Sequence, residues 1–509
     1  YKEGREMIEK TENRALTIVY FVGIVLSALG ALQLLPVASS LVYHEWRIAL
    51  IFCATGSIAV IVGCAMILLG YARRNASMSF GEGMAAAAGA WFLGTLLCAL
   101  PYALSGDYLS YLDACFDVMS GLTTTGVTLV QDMDHLSVGI NMWRHVLTFV
   151  GGQGMVVLAL TFLTKNQSGA YKMYVGEGKD ERLFPNAVST SRRIWSISLV
   201  YMVIGTMVMW LAAINAGLPV GRAFLHGLWI YFSAWSTGGF GPMSQNVLYY
   251  HSAFFELATV VFFVIGSFNF ALHHAVLTGN RKELRKNIET VTFATTCTLL
   301  VLVMTLGLMR ENVYPNVIAM FRKGFYQLIS GHTTTGFMTV YARQFYLEWG
   351  DIALFAITIS MLLGGSACST AGGFKGLRTG IIFSTFKTEV KRLMLPESRV
   401  CEQRIHHIRD VVLSDATIKS AFLIVTAYII TFTLGTLAGM LAGYPFAMAA
   451  FESASVTGNV GLSIGVSSPA MPAFLKLTYI LIMWLARLEF MSVLALGAYC
   501  IRKVTKKCD

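Results

Sequence analysis

Eight stretches of this chain, residues 49–72, 86–106, 145–164, 194–221, 257–280, 290–309, 352–374 and 420–451, contain no Asp, Glu, Lys or Arg. Each is about as long as the ~20 apolar residues that carry a helix across the hydrocarbon core of a bilayer. Soluble domains are about a quarter charged, whereas only 13% of these 509 residues are charged and 55% are hydrophobic. The fold class that follows is an all-α polytopic membrane protein. The first apolar run, 15–43, has charged residues ahead of it and is too long for a signal-peptide core, so it reads as a retained helix. The chain opens on Tyr1 rather than Met, which implies residues before it.

The net charge of +10 does not point to nucleic acid, because the basic residues sit in short clusters between the apolar runs. Examples are Arg73-Arg74, Arg192-Arg193, "RKELRK" 281–286, "KTEVKR" 387–392 and "RKVTKK" 502–507. With the N-terminus and every second loop on one side, that side holds 29 of the 38 Lys and Arg. Basic loops mark the cytoplasmic face, so both termini are expected inside, with the chain multi-pass in a plasma membrane. The nine cysteines show no CxxC or other metal spacing and read as small buried residues.

After two leading helices, about 15–43 and 49–71, one grammar recurs four times. An apolar helix leads out, a shorter segment follows, then a Thr- or Gly-rich stretch, then a helix leads back to the basic side. The four stretches are "TTTGV" 123–127, "STGGF" 236–240, "TTTGF" 333–337 and "VTGNV" 456–460. Aligning Gly126, Gly239, Gly336 and Gly458 gives unequal spacings, as expected of diverged repeats with loop insertions. The expected organisation is residues 1–80 as a two-helix domain, then repeats 81–192, 193–286, 287–410 and 411–509 around a central pore.

A short helix that stops inside a membrane leaves non-helical backbone at depth, tolerated only where protein buries it or it lines a water-filled path. Four such backbones around one axis would stack their carbonyls into oxygen rings that replace the hydration shell of an ion. Threonine favours the extended backbone, and glycine reaches angles that other residues do not. The candidate ion ligands, mainly through backbone carbonyls, are therefore Thr124, Thr125, Gly126, Thr237, Gly238, Gly239, Thr334, Thr335, Gly336, Val456, Thr457 and Gly458. For any single copy the alternative is an ordinary turn or helix cap; the fourth, with Val456 in place of Thr, is the most divergent.

These motifs, with "GSFNFALH" 266–273, "GGSACSTAGGFKGLR" 364–378 and "ARLEF" 486–490, resemble the superfamily of potassium transport subunits that includes TrkH, KtrB and the plant HKT transporters. The two extra leading helices are similar to the TrkH branch. The resemblance covers nearly the whole chain. It implies four membrane–pore–membrane repeats in a bacterial inner membrane, selectivity for a permeant potassium ion, a homodimer, and a cytosolic nucleotide-binding regulatory ring of the TrkA type. In the HKT branch a serine at the first filter glycine goes with sodium preference; here Gly126 stands at that position. No GxGxxG with a βαβ pattern occurs, so nucleotide sensing falls to a partner and no organic cofactor is expected in this chain.

The third return helix carries Gly364, Gly365, Ser366, Gly372 and Gly373, closed by Lys375. Glycines and serines this dense break a helix, although small residues also mediate tight helix contacts in membranes. The resemblance implies an intramembrane loop, 364–376, acting as a gate under the filter. Arg487 is placed by the sequence mid-way along the last helix, where an ionisable residue is paired or functional. It reads either as half of a buried ion pair or, as the family's "RLEF" implies, as a charge beside the pore below the filter. Asp113, Asp117 and Glu452 read either as mouth carboxylates that concentrate cations or as caps and partners of Arg144 or Arg222. Basic loops such as 387–409 suit anionic lipid or an acidic partner face.

Two other functions compete. One is a sodium or cation–proton symporter of the same superfamily, against which stand the four glycines and the lack of a buried carboxylate relay. The other is a membrane-embedded hydrolase using a serine of "STGG" or "GGSACSTAGG", against which stands the lack of His or Asp at a serviceable spacing.

Overall fold

The computed structural model describes residues 2–74, 78–155, 157, 175, 187–394, 396 and 402–508. Most of the expected basic loop 165–193, and Arg399, lie outside the described residues. Six described helices are long and apolar enough to cross a membrane, and eight if two sharply bent pairs count as single spans. The chain forms two compact units.

The first unit comprises residues 1–123, 128–204 and 487–509. Helices Lys2–Leu32 and Trp46–Gly70 form a hairpin joined through Leu34–Val42. Gly23 faces the backbone of Gly63, and Gly30 that of Gly56, so the two helices cross in backbone contact. Lipid gives apolar side chains no reason to leave it, and small residues that admit close packing hold membrane helices together instead. Thr55 donates to Gln33 Oε1 (2.7 Å) within the same contact. Phe80–Ser105 starts on a capping box in which Ser79 and Glu82 satisfy each other's amides. Tyr111–Leu122 starts on Ser110 and Val138–Gln153 on Ser137, each hydroxyl accepting an amide of the first turn. Glu45 accepts the first-turn amides of Val138 and Gly139 (2.8 and 3.0 Å), a carboxylate at the positive end of a helix. Met491–Cys508 packs against Phe80–Ser105.

The second unit comprises residues 124–127 and 205–486. Here the succession of long helix, short helix, loop and return helix is written out in Ile288–Arg310, 317–332 and Gly350–Leu363, and again in Asp415–Leu441, Phe446–Gly458 and Ala473–Arg487. Short helix Val220–Trp235 and return helix Ala253–Gly266 belong to the second copy of the succession. The 317–332 run contains one π-helical turn, Phe321–Phe325. A two-stranded hairpin, Arg404–His407 with Arg409–Val412, follows the helix Gly376–Arg392.

The sequence predicts one interrupted return helix; the structure has a break in all four. Val138–Gln153 ends at Gly154, with φ +102°. Ala253–Gly266 turns by 100° into Phe270–Leu277, whose first amides are capped by Asn269. Gly350–Leu363 stops at Gly364, φ +74°, and helix resumes only at Gly376. The last return helix ends at Arg487 and turns by 111° into the C-terminal helix through Glu489 and Phe490, both at positive φ. Arg487 is therefore a helix-terminal residue at a corner, not the mid-helix residue that the sequence predicts.

Candidate ion pathway

The four loops after the short helices share one backbone course. Thr124, Thr237, Thr334 and Asn459 all sit in the left-handed region, with φ between +50° and +56°. A β-branched residue there is a true outlier that its surroundings must hold in place. Two residues later comes a glycine, again at positive φ: Gly126 (+86°), Gly239 (+65°), Gly336 (+82°) and Gly461 (+99°). The amides agree. Gly238, Thr335 and Val460 each donate to the carbonyl five residues back, those of Ser233, Ser330 and Ser455, all at 2.8 Å.

This fixes the register of the fourth loop. The matching glycine is Gly461, three residues beyond the Gly458 that the sequence alignment picks. Val456, Thr457 and Gly458 instead form the last turn of helix Phe446–Gly458. The signal that would have found this register is a serine six residues before each glycine: Ser120, Ser233, Ser330 and Ser455. In the fourth loop Ser455 Oγ accepts the Gly461 amide (2.9 Å).

The four glycines close a cycle. A Cβ on Gly126 would overlap the carbonyl oxygen of Gly238, one on Gly239 that of Thr335, one on Gly336 that of Val460, and one on Gly461 that of Thr125. Each glycine thus abuts the carbonyl just before the next glycine, and the fourth abuts the first. Only a residue without a side chain fits at these positions.

A polar side chain of the short helix holds the stretch that follows three of these loops. In the first repeat Asp117 accepts from the Leu129 amide (3.0 Å), the Tyr108 hydroxyl (2.9 Å) and Arg144 Nε (3.3 Å). In the third, Gln327 donates to Thr339 Oγ1 (2.9 Å). In the fourth, Glu452 accepts from Ser463 and from the amides of Ile464 and Ser467 (2.9, 3.2 and 3.1 Å). Each of the three stands nine residues before its glycine and reaches the third residue after it. Asp113, in the first turn of its helix, is fully buried, as are Asp117 and Glu452, each about two turns into its own helix. Asp117 with Arg144 is the capping-and-pairing arrangement, and buried carboxylates in this role are not a water-facing ring.

The segment between Leu363 and Gly376 lies against the floor of this cycle. Gly372 donates its amide to Thr334 Oγ1 (2.8 Å), and its Cα packs on the Gly458 carbonyl and on Asn459. The Thr370 hydroxyl stands 2.8 Å from the Gly266 carbonyl, 3.1 Å from that of Trp235 and 3.2 Å from Thr237 Oγ1. Ser366 donates its amide to the Ser267 carbonyl (2.9 Å), and Gly364 and Gly373 fold against each other. Lys375, buried and at φ +72°, donates its amide to the Leu363 carbonyl (3.0 Å). Glu289, fully buried, accepts the Ala367 amide (2.6 Å). The sequence points to neither Thr370 nor Glu289, and it shows Asn459 only as a divergence of the fourth loop. In the other unit, Arg487 donates to the Gly151 carbonyl (2.8 Å), at the end of the first return helix.

The profile of the TrkH family, described as cation transport protein, matches residues 52–501. The chain belongs to this family. A cation transporter of Methanocaldococcus jannaschii, uncharacterized, is 29% identical over 94% of this chain and 95% of its own. The Trk system potassium uptake protein TrkH of Salmonella typhimurium is 27% identical over 95% and 98%. The crystal structure of the potassium transporter TrkH from Vibrio parahaemolyticus superposes with a TM-score of 0.80 at 25% identity, covering 94% of this chain and 97% of that one. TrkH proteins are multi-pass membrane transporters and not enzymes, so the serine-nucleophile reading of "STGG" and "GGSACSTAGG" falls.

Proposed function

We propose that this TrkH-family chain is a potassium-selective, channel-like uptake subunit. Its filter is built from Thr124, Thr125 and Gly126, Thr237, Gly238 and Gly239, Thr334, Thr335 and Gly336, and, in the fourth quarter, Asn459, Val460 and Gly461. The observation that carries this reading is the cycle of four glycines, each against the carbonyl of the next loop. Such close backbone packing gathers carbonyl oxygens around one point, where they can stand in for water around a cation. The related potassium uptake proteins supply the ion. Glycine at all four positions, rather than serine at the first, favours this over the sodium or cation–proton symporter.

The repeats are taken as 81–192, 193–286, 287–410 and 411–509, after a two-helix domain 1–80. The loop 364–376, with Gly364, Gly365, Ser366, Gly372, Gly373 and Lys375, is read as the gate, supported by its contacts with Thr334, Thr237 and Gly458. Arg487 is read as a fixed charge that hinders cations below the filter. The same reading makes the protein a homodimer in a bacterial inner membrane, with both termini cytoplasmic. A cytosolic nucleotide-binding ring of the TrkA type docks on its basic inner loops.

The test is uptake of rubidium against sodium by the reconstituted protein in liposomes, with Gly126→Ser and Gly461→Ser alongside. Native protein should prefer rubidium, and both substitutions should admit sodium. Unaltered selectivity in both variants would mean that these loops are not the filter.

A further inference from the structure

Behind the loop 364–376 runs a chain of polar contacts that ends in the hairpin on the basic side. The hairpin reads "RIHHIRD" over 404–410 and pairs His406 with Asp410 across its two strands. Its tip closes on the short helix Glu283–Lys286 and on the start of the long helix Ile288–Arg310. His406 Nε2 stands 3.1 Å from Glu283 Oε2, and its Nδ1 stands 2.6 Å from Asp410 Oδ1. The Ile408 amide donates to Glu283 Oε1 (3.1 Å), and His407 Nδ1 lies 3.8 Å from Glu289 Oε2. Glu283 and Glu289 are both buried. Asn287 joins them, donating to Glu283 Oε1 (3.3 Å) and accepting the Glu289 amide (2.9 Å). Glu289 in turn accepts the Ala367 amide (2.6 Å) and lies 3.5 Å from Asn269 Nδ2. The hairpin is thus two carboxylates away from the loop beneath the filter. Its apolar face also rests on the helix that leads out of that loop: Ile405 packs with Ile381, and Val411 and Leu413 border the same cluster. Gln403 donates to Ser384 and Thr385 of that helix (3.1 and 3.0 Å).

We propose that the hairpin 404–412 is a histidine latch, which holds the loop 364–376 in its blocking position through Glu283 and Glu289 and releases it when His406 loses its proton. The proposal rests on the gate reading above and adds its regulation: cytosolic protons act on the loop through His406, with Glu289 as the positioning residue. Coupling between sites needs an element with two arrangements that both sites bias, and here that element is the hairpin tip.

The charges around the latch set its sign. His406 faces Glu283 from the helix start and Asp410 from the paired strand, with Glu289 beside His407; Lys286 and Arg404 lie near Asp410. Hydrogen bonds to Asp410 and Glu283 raise the pKa of His406 above its ordinary value, and His406 lowers that of Asp410. A raised histidine pKa means that the contact is fully made below the ordinary value near 6.5 and lost as pH rises through the raised one. The latch is therefore closed at acidic cytosolic pH and opens as the cytosol becomes alkaline.

The experiment measures rubidium flux into liposomes as the pH on the hairpin's side is stepped from 6 to 9. Four forms of the whole chain are compared: native, His406→Gln, His406→Lys and a deletion of residues 365–373. Native flux should rise about fivefold across the range, the low end of common coupling between sites. His406→Gln should be fast and flat, and His406→Lys, which keeps a cation, slow and flat. The deletion should be fast at every pH. Alkylation of Cys368, buried in the loop and mapped by mass spectrometry at one fixed pH, gives a readout independent of flux: faster in His406→Gln than in native, and slow in His406→Lys. If the deletion is fast but His406→Gln keeps the native pH response, the latch is wrong and the gate stands. If the deletion leaves flux at the native level, the gate reading fails and the latch with it.

Discussion

The positions where side chains are forbidden define this site better than the threonines that draw the eye. "TTTG" is legible twice in the sequence, at 123–126 and 333–336, because threonine and glycine both suit an irregular backbone there. In the fourth copy "VTG" imitates the motif, whereas the backbone course of the other three recurs three residues later, in "GNVG" 458–461. Asn459 takes the left-handed place of a threonine, and asparagine tolerates that region better than any β-branched residue. The serine six positions before each glycine is visible in the sequence, but its meaning depends on an amide bond to the carbonyl five residues back, which periodicity does not reveal. The corrected register is testable. Gly461→Ser should raise sodium flux relative to rubidium about tenfold, roughly 1.4 kcal/mol of lost discrimination. Val456→Ala, in the helix, should leave the ratio unaltered. A selectivity change in Val456→Ala but not in Gly461→Ser would restore the sequence alignment.

At the scale of elements, the helices were legible and their breaks were not. Long charge-free runs announce membrane helices because charge is expensive in lipid. A bend at Gly266 or Arg487 costs little sequence: one glycine, or two residues at positive φ, inside a run that stays apolar. Only the third break, with five glycines over 364–376, departs enough in composition to be seen. The short helices held another ambiguity, since Asp117 and Glu452 read equally as mouth carboxylates or as structural partners. The structure buries both, each accepting hydrogen bonds from the backbone that follows its own loop. Asp117→Asn would break the ion pair with Arg144, both side chains fully buried, at a cost of about 3–5 kcal/mol. Glu452→Gln keeps one carbonyl acceptor and should cost about 1–3 kcal/mol. Thermal unfolding in detergent should therefore rank native above Glu452→Gln above Asp117→Asn. If both variants unfold like native protein but lose flux at low external potassium, the carboxylates serve the mouth after all.

For the molecule as a whole, the membrane class was legible in the sequence, as a consequence of hydrophobicity and charge along the chain. What it did not show were the contacts that join the segment 364–376 to Thr237 and Thr334, since those depend on three-dimensional closure. Thr370 is the clearest such contact, one hydroxyl placed among Gly266, Trp235 and Thr237. If the loop is the gate proposed above, its blocking and open forms are two populations, and a substitution shifts them by the free energy it removes from one state alone. Thr370→Val keeps the branched shape but gives up the hydroxyl, and with it about 1–1.5 kcal/mol that holds the loop to the filter floor. The open fraction should then rise about tenfold while selectivity stays native, because no filter carbonyl has changed. Single-channel recording in planar bilayers separates the two quantities. A rise in open probability at unaltered rubidium-to-sodium ratio is the expected result. Altered selectivity with native open probability would mean that the loop supports the filter instead of closing the path below it.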